Sequence, residues 1–260
     1  MSGLEWGDYV LIGLIFVWSG FVRSGLGFGG AVLSLPFLLL IKNDPLVFLP
    51  LIAVQLLIFS GLIMWKSHHK KHANGHLASS SASIDWAVVL RAMRIMIVPK
   101  LIGVVGLLTL SPKLMSAVIF AIVFAYAIAY ILNRPITYRS KAMDIGMLGL
   151  GGYISGTSLA GAPLIVPVVA AQVAKHQLRD TLFVLWFVLT SIKLASFVVA
   201  GVDLQLVHHL WLLPCAFLGH VLGDRLHSRI VAAETATFFR ALGAALIVVS
   251  SVGLWRVLGA

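Results

Sequence analysis

Two short stretches carry the residues that could do chemistry. The first is Arg23-Ser24-Gly25, followed by Gly27, Gly29 and Gly30; the second is Ser155-Gly156-Thr157-Ser158, followed by Gly161. Glycines let a ligand approach the backbone N–H groups, hydroxyls donate, and a guanidinium presents a planar fork of donors. Such a set suits a tetrahedral or pyramidal oxoanion. Each stretch runs into residues that read as a new helix start, Gly29-Gly30-Ala31 and Gly161-Ala162-Pro163, where Pro163 suits a first helical position. A helix start offers free N–H groups and the positive end of its dipole, so two facing starts would hold an anion. Lys100, Lys193 and Gln55 fall inside apolar segments and could line the anion's path.

The two stretches are copies of one pattern. Gly20 to Pro36 and Gly151 to Pro167 share six identical positions at an offset of 131 residues, Ser24 with Ser155 and Gly25 with Gly156 among them. Both lie within long apolar sequence, where clustered glycines interrupt a continuous helix. The pattern predicts two halves, 1–132 and 133–260, each a broken segment followed by three spans.

Composition dictates where such a chain can live. It is 60% hydrophobic and 11% charged, with a mean hydropathy of +1.02, too little charge to clothe a water-soluble domain. Apolar segments of about 20 residues recur along the length, which predicts an all-α polytopic membrane protein embedded in a lipid bilayer. Alternating segments of the barrel kind are absent. The net charge of +10 does not point to nucleic acid, because the basic residues are scattered over short loops between spans. Cys215, the single cysteine, reads as a small buried apolar residue. Glu5 and Asp8 with no basic region give no sign of a cleavable signal peptide.

In chain order, residues 8–22 and 31–41 flank the first break at 23–30, each arm short for a full crossing. Spans follow at about 46–65, 86–110 and 114–132, with a polar loop at 66–84 and Asp85 as an N-cap. Arms at 142–154 and 162–174 flank the second break at 155–161, and spans follow at about 181–200, 206–224 and 236–256. If each broken segment crosses once, loop Lys and Arg divide nine to seven between the two faces. If each is a re-entrant hairpin, thirteen lie on one face and three, Lys42, Lys113 and Arg256, on the other. The positive-inside rule favours the hairpins, which also make the halves inverted repeats.

Each candidate has a plainer reading beside the functional one. The glycines could serve close helix packing, Arg23 could snorkel or pair with a carboxylate, and Gln55 could be interhelical glue. Lys100 and Lys193 could pair with Asp224 or with backbone carbonyls, or Lys193 could shed a proton. Charges inside a membrane are costly and usually functional, which tilts the balance toward a site. His208, His209 and His220 are candidate proton relays. The run His68 to His76 resembles a metal tract but lacks cysteines and carboxylates, so no metal is assigned. The GxGxxG-like spacing at Gly25–Gly30 lies between membrane arms rather than in a βαβ unit, and no P-loop is present. No cofactor and no enzymatic activity are expected.

The first break with its following proline, its repeat SGTSLAGAP, and the spans holding Pro99, Gly103 and Gly106 and Pro214, Gly219 and Gly223 together resemble the TauE/SafE sulfite exporter family over nearly the whole chain. That resemblance implies an inner-membrane secondary transporter of sulfite, organosulfonates or related small anions, coupled to a proton or sodium gradient, with homo-oligomers open. The chain departs from the family pattern in its long His-rich loop, its hydroxyl-rich second break and Lys193. Two rivals stand beside this reading. One is a transporter or channel for another anion or metabolite, and the other is a non-transporting assembly or sensor protein using the His-rich loop.

Overall fold

The computed structural model describes residues 3–26, 30–73, 84–132, 140–232 and 236–259. Ten α-helices make up the described residues: α1 Trp6–Leu26, α2 Gly30–Ile41, α3 Pro45–Ala73, α4 Trp86–Thr109, α5 Pro112–Leu132, α6 Lys141–Ser158, α7 Ala162–Ala170, α8 Lys175–Val199, α9 Leu206–Ala232 and α10 Ala236–Leu258. Five of these, α1, α3, α5, α8 and α9, contain stretches long and apolar enough to cross a membrane.

Local sequence accounts for the boundaries. Asp85 caps α4 by accepting from the Val88 N–H at 3.1 Å, and Ser140 caps α6 through Met143 at 3.2 Å. Pro112 opens α5 after Ser111, whose hydroxyl accepts from Leu114 N–H. Helix α3 runs through Ala73, well past the expected end at 65, because lysine, histidine and alanine tolerate a helix and the first breaker is Gly75. The His-rich run is therefore helical as far as Ala73, and its remainder lies outside the described residues.

The breaks are shorter than expected and the first arms longer. Helix α1 has 21 residues and α6 has 18, about 31 and 27 Å at the helical rise, so neither is short for a bilayer. Ser24 and Gly25, and Ser155 to Ser158, stand in closing helical turns; only Leu159 to Gly161 remain irregular at the second break. Leu159 there takes the left-handed conformation, φ 58°. At the first break Gly27 and Gly29 lie outside the described residues.

Both broken segments fold back on themselves. Gly30 of α2 packs against Ser19 and Arg23 of α1, and Ser34 donates to the Ser19 hydroxyl at 3.3 Å. Gly161 packs against Gly151 and Ser155, while Gln172, just beyond α7, reaches Asp144 in the first turn of α6 at 2.8 Å. The helices of the two halves interlock in matched pairs: α1 lies along α9, α6 along α4, α3 along α8 and α5 along α10. Gly243 meets Ala127 and Tyr130 while Gly253 meets Phe120, so α5 and α10 run antiparallel. The surface is aliphatic, with Leu14, Val98, Ile102, Val105, Leu210 and Val248 exposed; Trp6, Trp86 and Trp255 stand exposed near helix ends, and Trp65 at the end of the apolar stretch of α3.

Candidate anion site

The candidate side chains are placed by two helix crossings. At one, Gly20 of α1 meets Ala216, and Gly223 of α9 meets Phe21, Ser24 and Gly25. At the other, Gly152 meets Met96, Gly156 meets Lys100, and Gly103 meets Tyr153 and Gly156. A Cβ on Gly156 would stand 2.3 Å from the Lys100 carbonyl oxygen, so this position demands glycine for close approach. The packing reading of the glycines thus holds here, and its consequence is to press the polar ends of α1 and α6 against α9 and α4.

The first cluster gathers at the end of α1. Arg23 is 3% exposed, and its Nε and Nη2 have no hydrogen-bond partner among the described residues. Its guanidinium lies 4.4 Å from the centre of the Phe59 ring on α3. Among the described residues it pairs with no carboxylate. The Ser24 hydroxyl bonds the His220 Nδ1, and the His220 ring centre is 5.0 Å from that of Phe59. Gln55 lies one turn before Phe59, on the same face of α3, 1% exposed and with Nε2 unpartnered among the described residues. The start of α2 closes the cluster, with Gly30 against Arg23.

The second cluster gathers at the end of α6. Lys100 is fully buried and donates to Ser155 Oγ at 3.0 Å and, longer, to its carbonyl at 3.4 Å. Lys193, also fully buried, donates to the Gly156 carbonyl at 2.7 Å. Two lysine side chains therefore donate to the C-terminal end of α6. Asp224, a candidate partner for either lysine, instead pairs with Arg179 at 3.3 Å. Thr157 and Ser158 both donate to the Ile154 carbonyl at 3.0 Å, so in this conformation their hydroxyl protons serve the helix.

The clusters occupy different depths. The Asp85 N–H donates to Thr181 Oγ1 at 3.1 Å, which together with the Arg179–Asp224 pair places the start of α4, the start of α8 and Asp224 at one end of the bundle. From that end His220 lies one turn in, about 6 Å, whereas Lys100 lies about 21 Å along α4. His208 and His209 sit at the opposite end of α9, engaging Trp211 Nε1 and the Leu204 carbonyl. A groove of about 450 Å³ between α1 and α9, lined by Trp6, Tyr9, Leu14 and Trp211, is apolar and lies at the far end of α1 from Arg23.

The family model for the sulfite exporter TauE/SafE matches residues 11–254. The chain belongs to the TauE/SafE family. No curated protein and no solved structure matches it. TauE/SafE proteins are membrane transporters of sulfite or related anions, and the match spans both halves, both breaks and both clusters of this TauE/SafE chain.

Phe59, whose ring both Arg23 and His220 approach, was not legible in the motifs. Pairing Pro99, Gly103 and Gly106 with Pro214, Gly219 and Gly223 in order hides the contact register. The packing matches Gly103 with Gly223, each against the glycine that follows the break serine, Gly156 or Gly25. In that register Lys100 and His220 are equivalent, each three residues before its crossing glycine and each bonded to a break serine.

Proposed function

We propose that the chain is a secondary transporter that moves a small sulfur-containing oxoanion, sulfite or an organosulfonate, across the inner membrane by alternating access. The observation that carries this reading is Arg23, a buried guanidinium in the last turn of α1, against the start of α2, with two nitrogens that have no hydrogen-bond partner among the described residues. A buried, unpaired charge is costly unless a ligand completes it, and a sulfur oxoanion supplies acceptors in the geometry the fork requires. Ser24, Gly25, Gly30 and Gln55 form the rest of the first subsite, and Gly27 and Gly29, the other candidates from the sequence, lie outside the described residues. Lys100, Lys193, Ser155, Gly156, Thr157, Ser158 and Gly161 form its counterpart in the second half.

The halves act as inverted repeats with re-entrant hairpins. Supporting this, the equivalent helices α5 and α10 run antiparallel, and Gln172 returns to the start of α6. The Asp85–Thr181 bond and the bond from Arg256 Nη1 to the Leu40 carbonyl, 3.2 Å, each join ends that a single-crossing arrangement would put on opposite faces. Under inversion the two clusters lie toward opposite faces, and rocking one half against the other would expose them in turn.

The test is flux of radiolabelled sulfite into proteoliposomes holding the native chain or Arg23→Ala. Uptake by the native chain, lost in a variant that keeps its elution profile and melting temperature, is the expected result. Absence of sulfite movement by the native chain would remove the substrate assignment. Competition by methanesulfonate but not by chloride or a carboxylic acid distinguishes a sulfur-anion carrier from a carrier of another anion.

A further inference from the structure

Arg179, in the second turn of α8, repeats in a half-exposed setting the arrangement that buries Arg23. Its guanidinium carbon lies 5.9 Å from the centre of the buried Phe183 ring, as that of Arg23 lies 4.4 Å from the centre of Phe59. Both arginines turn the same edge of the fork, Nε and Nη2, away from ordinary partners. On Arg23 neither nitrogen has a hydrogen-bond partner among the described residues. On Arg179 the Nε is likewise buried and unpartnered, and Nη2 donates to Asp224 Oδ1 at 3.3 Å. The side chains of that pair are 36% and 47% exposed, so a single bond of this kind adds little to stability.

The pair lies between the Arg23 cluster and the nearer end of the bundle. Asp224 follows Gly223, and a Cβ on Gly223 would stand 3.0 Å from both Ser24 Cβ and the Gly25 backbone nitrogen. Thr181, two residues beyond Arg179, accepts from the Asp85 N–H at the end that holds the starts of α4 and α8. We infer that Arg179 is an outer anion-binding residue for the transported oxoanion, and that Asp224 is the internal carboxylate which the oxoanion displaces from it. This rests on the anion-transport reading above and adds an entry residue to it.

A carboxylate and a sulfur oxoanion offer a guanidinium the same kind of acceptor oxygen, so they compete for one fork. Asp224 reaches only Nη2, through one oxygen. An oxoanion with three oxygens can take Nε and Nη2 together, which the present pair does not do. Its arrival releases Asp224. Its passage onward to Arg23 lets Asp224 return, so that Arg179 is refilled from within and does not hold the anion at the entrance. The weakness of the exposed pair suits that exchange, and the cation at the edge draws anions from solution. No covalent bond changes.

The experiment is a double-mutant cycle on the KM for radiolabelled sulfite uptake into proteoliposomes, with the native chain, Arg179→Gln, Asp224→Asn and the double variant. Arg179→Gln is expected to raise KM roughly two- to fivefold, the upper range for an exposed charge pair. Asp224→Asn is expected to lower KM by a similar factor, because the competing carboxylate is gone. In the Arg179→Gln background Asp224→Asn should change nothing, since no guanidinium remains to be freed. Arg179→Lys, which keeps the charge and loses the fork, stands in if the glutamine variant does not fold. Single variants that shift KM in the same direction, or not at all, mark the pair as a structural tie and overturn the inference. An Asp224→Asn effect that persists without Arg179 overturns it as well, because the carboxylate would then act on the anion directly. Each of these results leaves sulfite transport standing. A native chain that takes up no sulfite overturns the parent reading and this one with it.

Discussion

Arg23 is 3% exposed, and among the described residues its company is the Phe59 ring rather than a carboxylate. Its stacking on Phe59 returns about 2 kcal/mol at most, well short of compensating a desolvated charge. The side chain is therefore expected to cost stability when no anion is bound. Arg23→Leu is expected to raise the thermal melting point, by a stabilisation of about 1–4 kcal/mol, while abolishing sulfite binding; a lowered melting point would mark Arg23 as a structural residue. Arg23→Lys keeps the charge but loses the fork. It should weaken sulfite binding about tenfold or more in a direct titration, since a charged hydrogen bond contributes roughly 1.5–3 kcal/mol.

At the scale of elements, the glycine crossings set the geometry of both clusters. The parallel contact of α4 with α6 brings Lys100 to Ser155, and that of α1 with α9 brings His220 to Ser24. Each crossing joins a helix that precedes a break to a helix from the other part of the chain, α4 with α6 and α9 with α1. Gly156→Val would drive a side chain into the Lys100 carbonyl. We expect a loss of about 1–3 kcal/mol in a denaturation measurement and a drop in transport beyond what the remaining folded fraction explains. Gly106, which faces open space, is the control, and Gly106→Ala should change neither.

For the whole molecule, the antiparallel α5–α10 pair and the folded-back hairpins bear on orientation in the bilayer. With Cys215 replaced by serine, single cysteines at Lys175 and Lys42 should label from opposite faces, Lys175 from the cytoplasm. Periplasmic labelling at Lys175 would exclude the inverted arrangement. The charge bias among loops already favours this orientation, thirteen to three, because basic residues translocate poorly. The bundle adds a geometric reason: bonds from Asp85 to Thr181 and from Arg256 to Leu40 tie together ends that must share a face.

The sequence by itself determined that the protein is helical and membrane-embedded, and it showed a glycine-rich pattern that recurs at an offset of 131 residues. Those properties follow from composition and local patterning, since a bilayer rewards apolar runs and glycine weakens helices wherever it stands. It also indicated Arg23, Lys100, Lys193 and Gln55 as polar groups in apolar surroundings, and all four are buried. Only the tertiary structure decided which of them meet. Lys193 reaching Gly156, His220 joining Ser24, and Arg23 facing Phe59 depend on the register of helix crossings. That register is set by side-chain volumes on both partners and is invisible along one strand of sequence. The extents of the breaks were decided there too: α1 and α6 carry their serines inside closing turns because packing against α9 and α4 supplies the stability that glycine withholds.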